Sequence, residues 1–376
     1  MRVLMVSKAC IVGIYQRKLE EIARCGVELL VVVPPSWRDE RGETPLERVY
    51  TEGYRMEVLP MALNGSFHLH FYRGLGQQIR EFRPQIVHID EEPYNLAAWQ
   101  SLFHAKRIGA KTLFFSWQNL NRSYPPPFSW GERWVLNNVD YALAGTDSAA
   151  QVWREKGYRG PMRVIAQFGT DAELFTPSTS PPNPLSTSRE GELKRPFTIG
   201  YVGRLVEEKG VSLLLEAAAK LAGDWLLHVV GSGPLKGALA AQAHQLGVLP
   251  QVTFTDWLPS RDMPAQYRQL DALVVPSLTR PHWKEQFGRV LPEAMASGVA
   301  VIGSDCGAIP SVIGDAGLIF PEGDVSALAD CLQRLQNDAH LRACMGEKGR
   351  ARVLAHFTHE QVAQATVEVY REMVES

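Results

Sequence analysis

Short apolar runs alternate with helix-patterned segments along this chain, and the alternation occurs twice. In the first half, Val3–Ser7, Leu29–Val33, Ile86–Ile89, Lys111–Ser116, Tyr141–Ala144 and Arg163–Ile165 read as strands. Tyr15–Cys25, Phe71–Phe82 and Tyr94–Ile108 read as helices between them. A stretch from Pro177 to Gly191, rich in Pro and Ser, then offers nothing from which to build a core. Beyond it the pattern restarts with strands at Phe197–Val202, Trp225–Val230, Val252–Thr255, Ala272–Val275 and Ala300–Gly303. Helices are expected at Val211–Leu221, Leu235–Leu246 and Met263–Gln269, from Phe287, near Ser326–Leu335 and Leu341–Ala355, and from about Thr358 to Val374. Continuously apolar strands separated by helices demand a parallel sheet covered on both faces. The expected fold is therefore α/β, with two Rossmann-like, doubly wound parallel-sheet domains. The boundaries are 1–172 for the first, 173–196 for the connection and 197–357 for the second, and 376 residues suffice for two such cores.

Composition narrows the function. A net charge of −2 supplies no global basic field for nucleic acid or anionic lipid. Five cysteines, with no C-x-x-C pair, argue for reduced thiols and a cytoplasmic setting, not for a disulfide frame or a zinc site. Lys8 interrupts the apolar start before a signal-peptide core develops.

Chemistry concentrates in Glu285-Gln-Phe-Gly-Arg-Val-Leu-Pro-Glu293, where two carboxylates flank a Phe-Gly turn that opens a helix. A helix starting near Phe287 would put Glu293 about 9 Å along its axis, comparable to a diphosphate bridge. Backbone N–H groups at such a start favour phosphate, and carboxylates accept from sugar hydroxyls. An ordinary amphipathic helix with exposed glutamates is the bland alternative. Gly203-Arg-Leu-Val-Glu-Glu-Lys-Gly210 follows a predicted strand directly, so Arg204 and Lys209 stand where a ligand would lie. Two fixed cations there would neutralise a departing diphosphate. Glu207 and Glu208 would instead pair with them in a plain surface turn.

Together, Gly203-Arg204-x4-Lys209-Gly210 and Glu285-x7-Glu293, with Gly231-Ser-Gly-Pro234, Val274-Val-Pro-Ser277 and Glu293-Ala-Met-Ala-Ser-Gly298, resemble the retaining GT-B glycosyltransferases of family 4. The resemblance covers most of the second half and does not specify substrate. It implies that Arg204 and Lys209 hold the diphosphate with the backbone of Phe287, Gly288 and Arg289. Glu285 would contact the transferred hexose and Glu293 the ribose. Gly203, Gly231 and Ser232 would lie near the nucleotide, Trp257 and Leu258 near the base. The last helix, about 358–376, would pack back on the first domain, which would bind the acceptor across a cleft.

The first half departs from the family pattern. Lys8-Ala-Cys-Ile-Val-Gly13 stands where the family often has a Gly-Gly loop, leaving only Gly13 and the small Ala9 to permit close approach to donor. Gln118 stands where the family tends to have a histidine, and glutamine takes no proton at neutral pH. His88 matches a family histidine; ligand contact and a structural hydrogen bond are both open to it. Asp90-Glu-Glu92 suits acceptor hydroxyls better than a metal. Tyr124, in the proline-stiffened loop Asn121–Trp130, offers an aromatic face to a sugar or apolar aglycone.

The expectation is transfer of a hexose from a nucleotide-diphosphate sugar, uridine first and guanosine next, to a glycan, a lipid-linked sugar or a small aglycone. Neither a cofactor nor a metal is called for, and no nucleic acid is bound. The aromatic loop leaves peripheral membrane contact open, and oligomeric state is unreadable. The rivals are a catalytically silent sugar-nucleotide module and a GT-B sugar epimerase. A dehydrogenase would want G-x-G-x-x-G after the first strand, which Val6–Gly13 lacks.

Overall fold

A computed structural model describes residues 1–39, 42–177 and 195–375. The chain forms two compact units, Met1–Gly169 with His359–Ser376, and Thr170–Thr358. Most of the connection expected at 173–196 lies outside the described residues.

The first unit runs β1 (Arg2–Val6), α1 (Arg17–Arg24), β2 (Glu28–Val33), β3 (Ser36–Asp39), β4 (Gly42–Pro45), β5 (Arg55–Val58), β6 (Met61–Ala62), β7 (Phe71–Tyr72), α2 (Leu75–Phe82), β8 (Ile86–Ile89), α3 (Leu96–Arg107), β9 (Lys111–Ser116), α4 (Phe128–Asn138), β10 (Tyr141–Ala144), α5 (Asp147–Glu155) and β11 (Met162–Val164). Seven strands make one parallel sheet in the order β11-β10-β9-β8-β1-β2-β5. Its central strands are buried along their whole length, which is why they read as unbroken apolar runs.

The second unit continues with β12 (Phe197–Val202), α6 (Val211–Ala218), β13 (Trp225–Val230), α7 (Lys236–Gln245), β14 (Val252–Thr255), α8 (Met263–Tyr267), β15 (Ala272–Val275), α9 (Val290–Ala296), β16 (Ala300–Ser304), α10 (Ile309–Ile313), β17 (Gly317–Phe320), α11 (Val325–Asn337) and α12 (Ala339–His356). Its six parallel strands lie in the order β14-β13-β12-β15-β16-β17. Asp324 and Asp338 cap α11 and α12 by accepting from Ala327 and Leu341 N–H groups. The close approach of α12 to α9 depends on Gly346, where a Cβ would fall 2.2 Å from the Gly298 carbonyl oxygen. The last helix, α13 (His359–Glu375), belongs to the first unit and packs on α1.

Each sheet buries apolar side chains of its helices. Leu4, Val87, Phe114 and Trp153 centre one core, and Ile199, Leu214, Leu227 and Ile302 the other.

Several elements differ from the sequence reading. The helix expected from Phe71 starts at Leu75, because Gly74 takes a positive φ of 85° and Phe71–Tyr72 pair with Met61–Ala62. The loop placed at Asn121–Trp130 ends early, and α4 begins at Phe128. The hairpin β3–β4 and the elements β5, α4, α10 and β17 were not anticipated. The helix expected from Phe287 starts at Val290: Gly288 has φ 71°, so Phe287–Arg289 form the turn that leads into α9.

Candidate active site

Ligands of doubly wound sheets bind beyond the carboxyl ends of the strands, where the strand order reverses. In the second unit the reversal falls between β12 and β15. The chain leaving β12 passes Gly203 and a short turn, Glu207–Lys209, to Gly210. Gly210 has φ 66°, and a Cβ there would come 2.0 Å from the Pro276 carbonyl oxygen. Only glycine lets this turn press against the end of β15.

The turn delivers Lys209 to Glu285. Lys209 Nζ lies 2.5 Å from Glu285 Oε2, and Ser277 Oγ donates to the same oxygen at 2.9 Å. The ammonium also stands 4.7 Å from the centre of the Trp283 ring. Glu285 is buried, while Lys209 keeps a part-exposed side chain. The cation assigned to diphosphate and the carboxylate assigned to hexose therefore hold each other. Ser277 and Trp283 complete this group; Ser277 ends the Val274-Val-Pro-Ser277 motif but was given no role from the sequence, and Trp283 was not singled out.

Glu293 lies in the first turn of α9 rather than about six residues along a helix. Its Oε2 accepts from Tyr267 Oη at 2.8 Å, and its Oε1 from Arg289 Nη2 at 3.2 Å. Burial pushes its carboxyl up, against the pull of Arg289 and Tyr267. Each oxygen keeps a lone pair for a further donor.

At the ends of β12, β13 and β14 the remaining expected residues gather. A Cβ on Gly231 would fall 1.8 Å from the Gly203 carbonyl oxygen, so these two turns touch only because Gly231 has no side chain. Arg204 and Ser232 are exposed. Ser232 Oγ accepts from the Trp257 N–H at 3.4 Å, and the Trp257 ring is 62% exposed beside half-buried Leu258. Such an open aromatic face suits a planar base.

In the first unit the strand order reverses between β1 and β8. Lys8, just after β1, forms an ion pair with Glu91, just after β8. The ammonium also lies 5.6 Å from the Trp37 ring and 5.0 Å from that of Phe67. Burial pushes the Glu91 carboxyl up, yet Lys8 and His70 outweigh it and hold it at about 2. Glu92 accepts from Ser116 Oγ at 2.5 Å and from the Trp117 N–H at 3.0 Å. Burial pushes its carboxyl up to about 7 despite these donors. Beside it, Tyr94 and Tyr124 lie 4.4 Å apart, with His68 5.5 and 5.4 Å from them.

Gln118 is buried near this group. Its Nε2 donates to the Leu120 carbonyl, and its Oε1 has no hydrogen-bond partner among the described residues. Two expected residues turn inward. His88 is fully buried, and its Nδ1 lies 2.6 Å from Tyr370 Oη on α13, so its bond is structural; burial holds its pKa well below the ordinary value. Asp90 is buried and accepts from Ser7 Oγ and from Gln167 Nε2. Gly13 is engaged within the unit as well: its N–H donates to Glu47 Oε2 at 2.6 Å, and Val49 lies where a Cβ would stand. Lys8, with the place after β1 that Lys209 has after β12, carried a signal that sequence reasoning passed over.

Two family models match the chain. Residues 186–352 fit "Glycosyl transferases group 1" and residues 14–167 fit "Glycosyl transferase 4-like domain". A D-inositol 3-phosphate glycosyltransferase from Corynebacterium jeikeium is 32% identical over 257 residues, 64% of this chain and 59% of that protein. The chain thus spans less than two thirds of the length of the curated relatives it matches. Among solved structures, HepE from Anabaena in complex with UDP aligns with a TM-score of 0.75 at 17% identity, over 99% of this chain and 100% of that one. Sucrose-phosphate synthase from Thermosynechococcus elongatus aligns at 0.72 and 21% identity, over 100% and 99%. These structural likenesses establish the fold, GT-B.

Proposed function

The chain belongs to the group 1 glycosyltransferases, and on that premise we propose that it moves a hexose from a nucleotide-diphosphate sugar to an acceptor hydroxyl. Uridine is the favoured base and guanosine the next. Transfer retains configuration and uses no metal. The observation that carries the reading is the meeting of Lys209, Glu285 and Ser277 at the strand reversal of the second unit.

Lys209 and Arg204 neutralise the diphosphate as it leaves. Glu285 accepts from hexose hydroxyls once the ammonium turns to phosphate, and Glu293 accepts from the ribose. Trp257 lies against the base. The acceptor hydroxyl attacks from the face that the diphosphate leaves, and the diphosphate takes its proton. In the first unit the acceptor rests against Tyr124, which Tyr94 backs from the core, with Glu92 and the Gln118 Oε1 accepting from its hydroxyls. A ring-bearing polyol, free or at the end of a glycan or lipid-linked sugar, fits these groups. The engagement of Gly13 by Glu47 and Val49 favours one rival, a binding module without turnover.

The test is a thermal-shift screen of the protein against nucleoside diphosphates and their sugars in EDTA, followed by donor-hydrolysis assays. A ligand bound only by the folded chain raises its melting temperature. One stabilising nucleotide, with turnover of its sugar that Lys209→Ala abolishes in a folded protein, is the expected result. A folded protein unmoved by all of them would overturn the reading, and stabilisation without turnover would select the silent module.

A further inference from the structure

We infer that the outer face of α3 and α4 docks on the surface of an anionic lipid bilayer. The two helices follow the adjacent parallel strands β8 and β9 and run side by side in one direction. Trp99 of α3 meets Phe128 of α4 at 6.2 Å, and a Cβ on Gly131 would strike the Trp99 ring at 2.0 Å. At the far end Lys106 pairs with Asp140, just past α4, at 3.1 Å. The contacts fix which residues face outward.

Trp130 and Trp134, one helical turn apart on α4, are 66% and 37% exposed, and Phe103 on α3 is 48% exposed. Trp153 and Trp225 show what the fold does with tryptophans it needs for its cores: both are buried. Large rings held in water over two adjacent helices form a face that calls for a partner. Indole, apolar in body with one N–H at its edge, partitions to the bilayer interface.

The charges around the rings select the partner. Arg133, next to Trp134 in α4, is exposed, and the Arg107 guanidinium stands 5.5 Å from the Phe103 ring. Lys106 and Arg107 are exposed at the end of α3, and Arg80 on neighbouring α2 lies close enough to His104 to lower its pKa after burial has done so. The acids in this neighbourhood are engaged: Asp140 by Lys106, Glu132 of α4 by Lys156, and Glu81 by the Gln77 amide. A basic rim around exposed aromatics, on a chain of net charge −2, matches an anionic lipid surface. Among the described residues no helix is long and apolar enough to cross a membrane, so the mode is docking in the interface plane.

The experiment is co-sedimentation of the full chain with vesicles of phosphatidylcholine plus phosphatidylglycerol, and with phosphatidylcholine alone. The protein should sediment with the mixed vesicles, and raised salt should release it. Trp130→Ser/Trp134→Ser should weaken vesicle binding by at least about tenfold at unchanged melting temperature. Arg107→Glu/Arg133→Glu should do the same by removing the rim charge. Wild-type protein left in the supernatant, or a double tryptophan variant that sediments as before, would overturn the proposal. So would light scattering that finds a wild-type dimer and a monomeric tryptophan variant, because the face would then be a contact between copies.

Discussion

Glu92→Gln tests whether burial or Lys8 governs the charge beyond the end of β8 in the first unit. Burial raises the Glu92 carboxyl from 4.5 to about 7, which corresponds to about 3 kcal/mol. In the unfolded chain the group gives up its proton near 4.5, but the folded unit keeps it until about 7. Between those pH values the folded state holds the extra proton, so its stability falls as pH rises. The stabilising effect is complete below 4.5 and gone above about 7. Glutamine keeps an oxygen for the Trp117 N–H and carries no charge to desolvate. In urea unfolding followed by tryptophan fluorescence, the variant should gain up to about 3 kcal/mol over wild type near pH 8.5 and only about 1 kcal/mol near pH 5.5. Partial solvent contact of Glu92 makes these upper values. An identical pH profile for the two proteins would refute the reasoning and show that Lys8 and the two donors keep the carboxylate ionised.

Gly231→Ala forces a methyl onto the Gly203 carbonyl; a cost of roughly 2–4 kcal/mol and a fall of about 5–10 °C in the melting of the second unit should appear in calorimetry, with weaker nucleotide binding. Tyr267→Phe removes the buried donor to Glu293 and should cost about 1.5–3 kcal/mol in chemical denaturation, with a several-fold rise in nucleotide Kd by titration calorimetry. Sugar transfer should persist in excess EDTA, which a radiolabelled-donor assay reads directly; loss restored by added Mg2+ would end the metal-free reading.

The strands were legible because a parallel strand buried on both sides is apolar at every position, as in Ile86–Ile89 and Tyr141–Ala144. The β3–β4 hairpin was not, since Arg38, Asp39 and Glu43 give it an exposed, charged surface with no core to betray it. Spacing located Lys209, Glu285 and Glu293 but not their partners. That Lys209 meets Glu285, or Lys8 meets Glu91, depends on a crossover that brings two strand ends together far apart in sequence. The start of α9 was misread because Gly288 adopts a conformation that sequence pattern does not mark.

The ion pair at the strand reversal also bears on how a turnover would end. On the proposed reading, a donor that draws Lys209 onto its diphosphate takes one hydrogen-bond donor from the buried Glu285, and the hexose hydroxyls replace it. After transfer the nucleoside diphosphate still claims the ammonium, but the sugar that satisfied Glu285 has gone. Product therefore competes with a carboxylate seeking its old partner, whereas substrate does not. On that reading the Lys209–Glu285 pair would act as an ejector, loosening the spent nucleotide without any motion being added for the purpose.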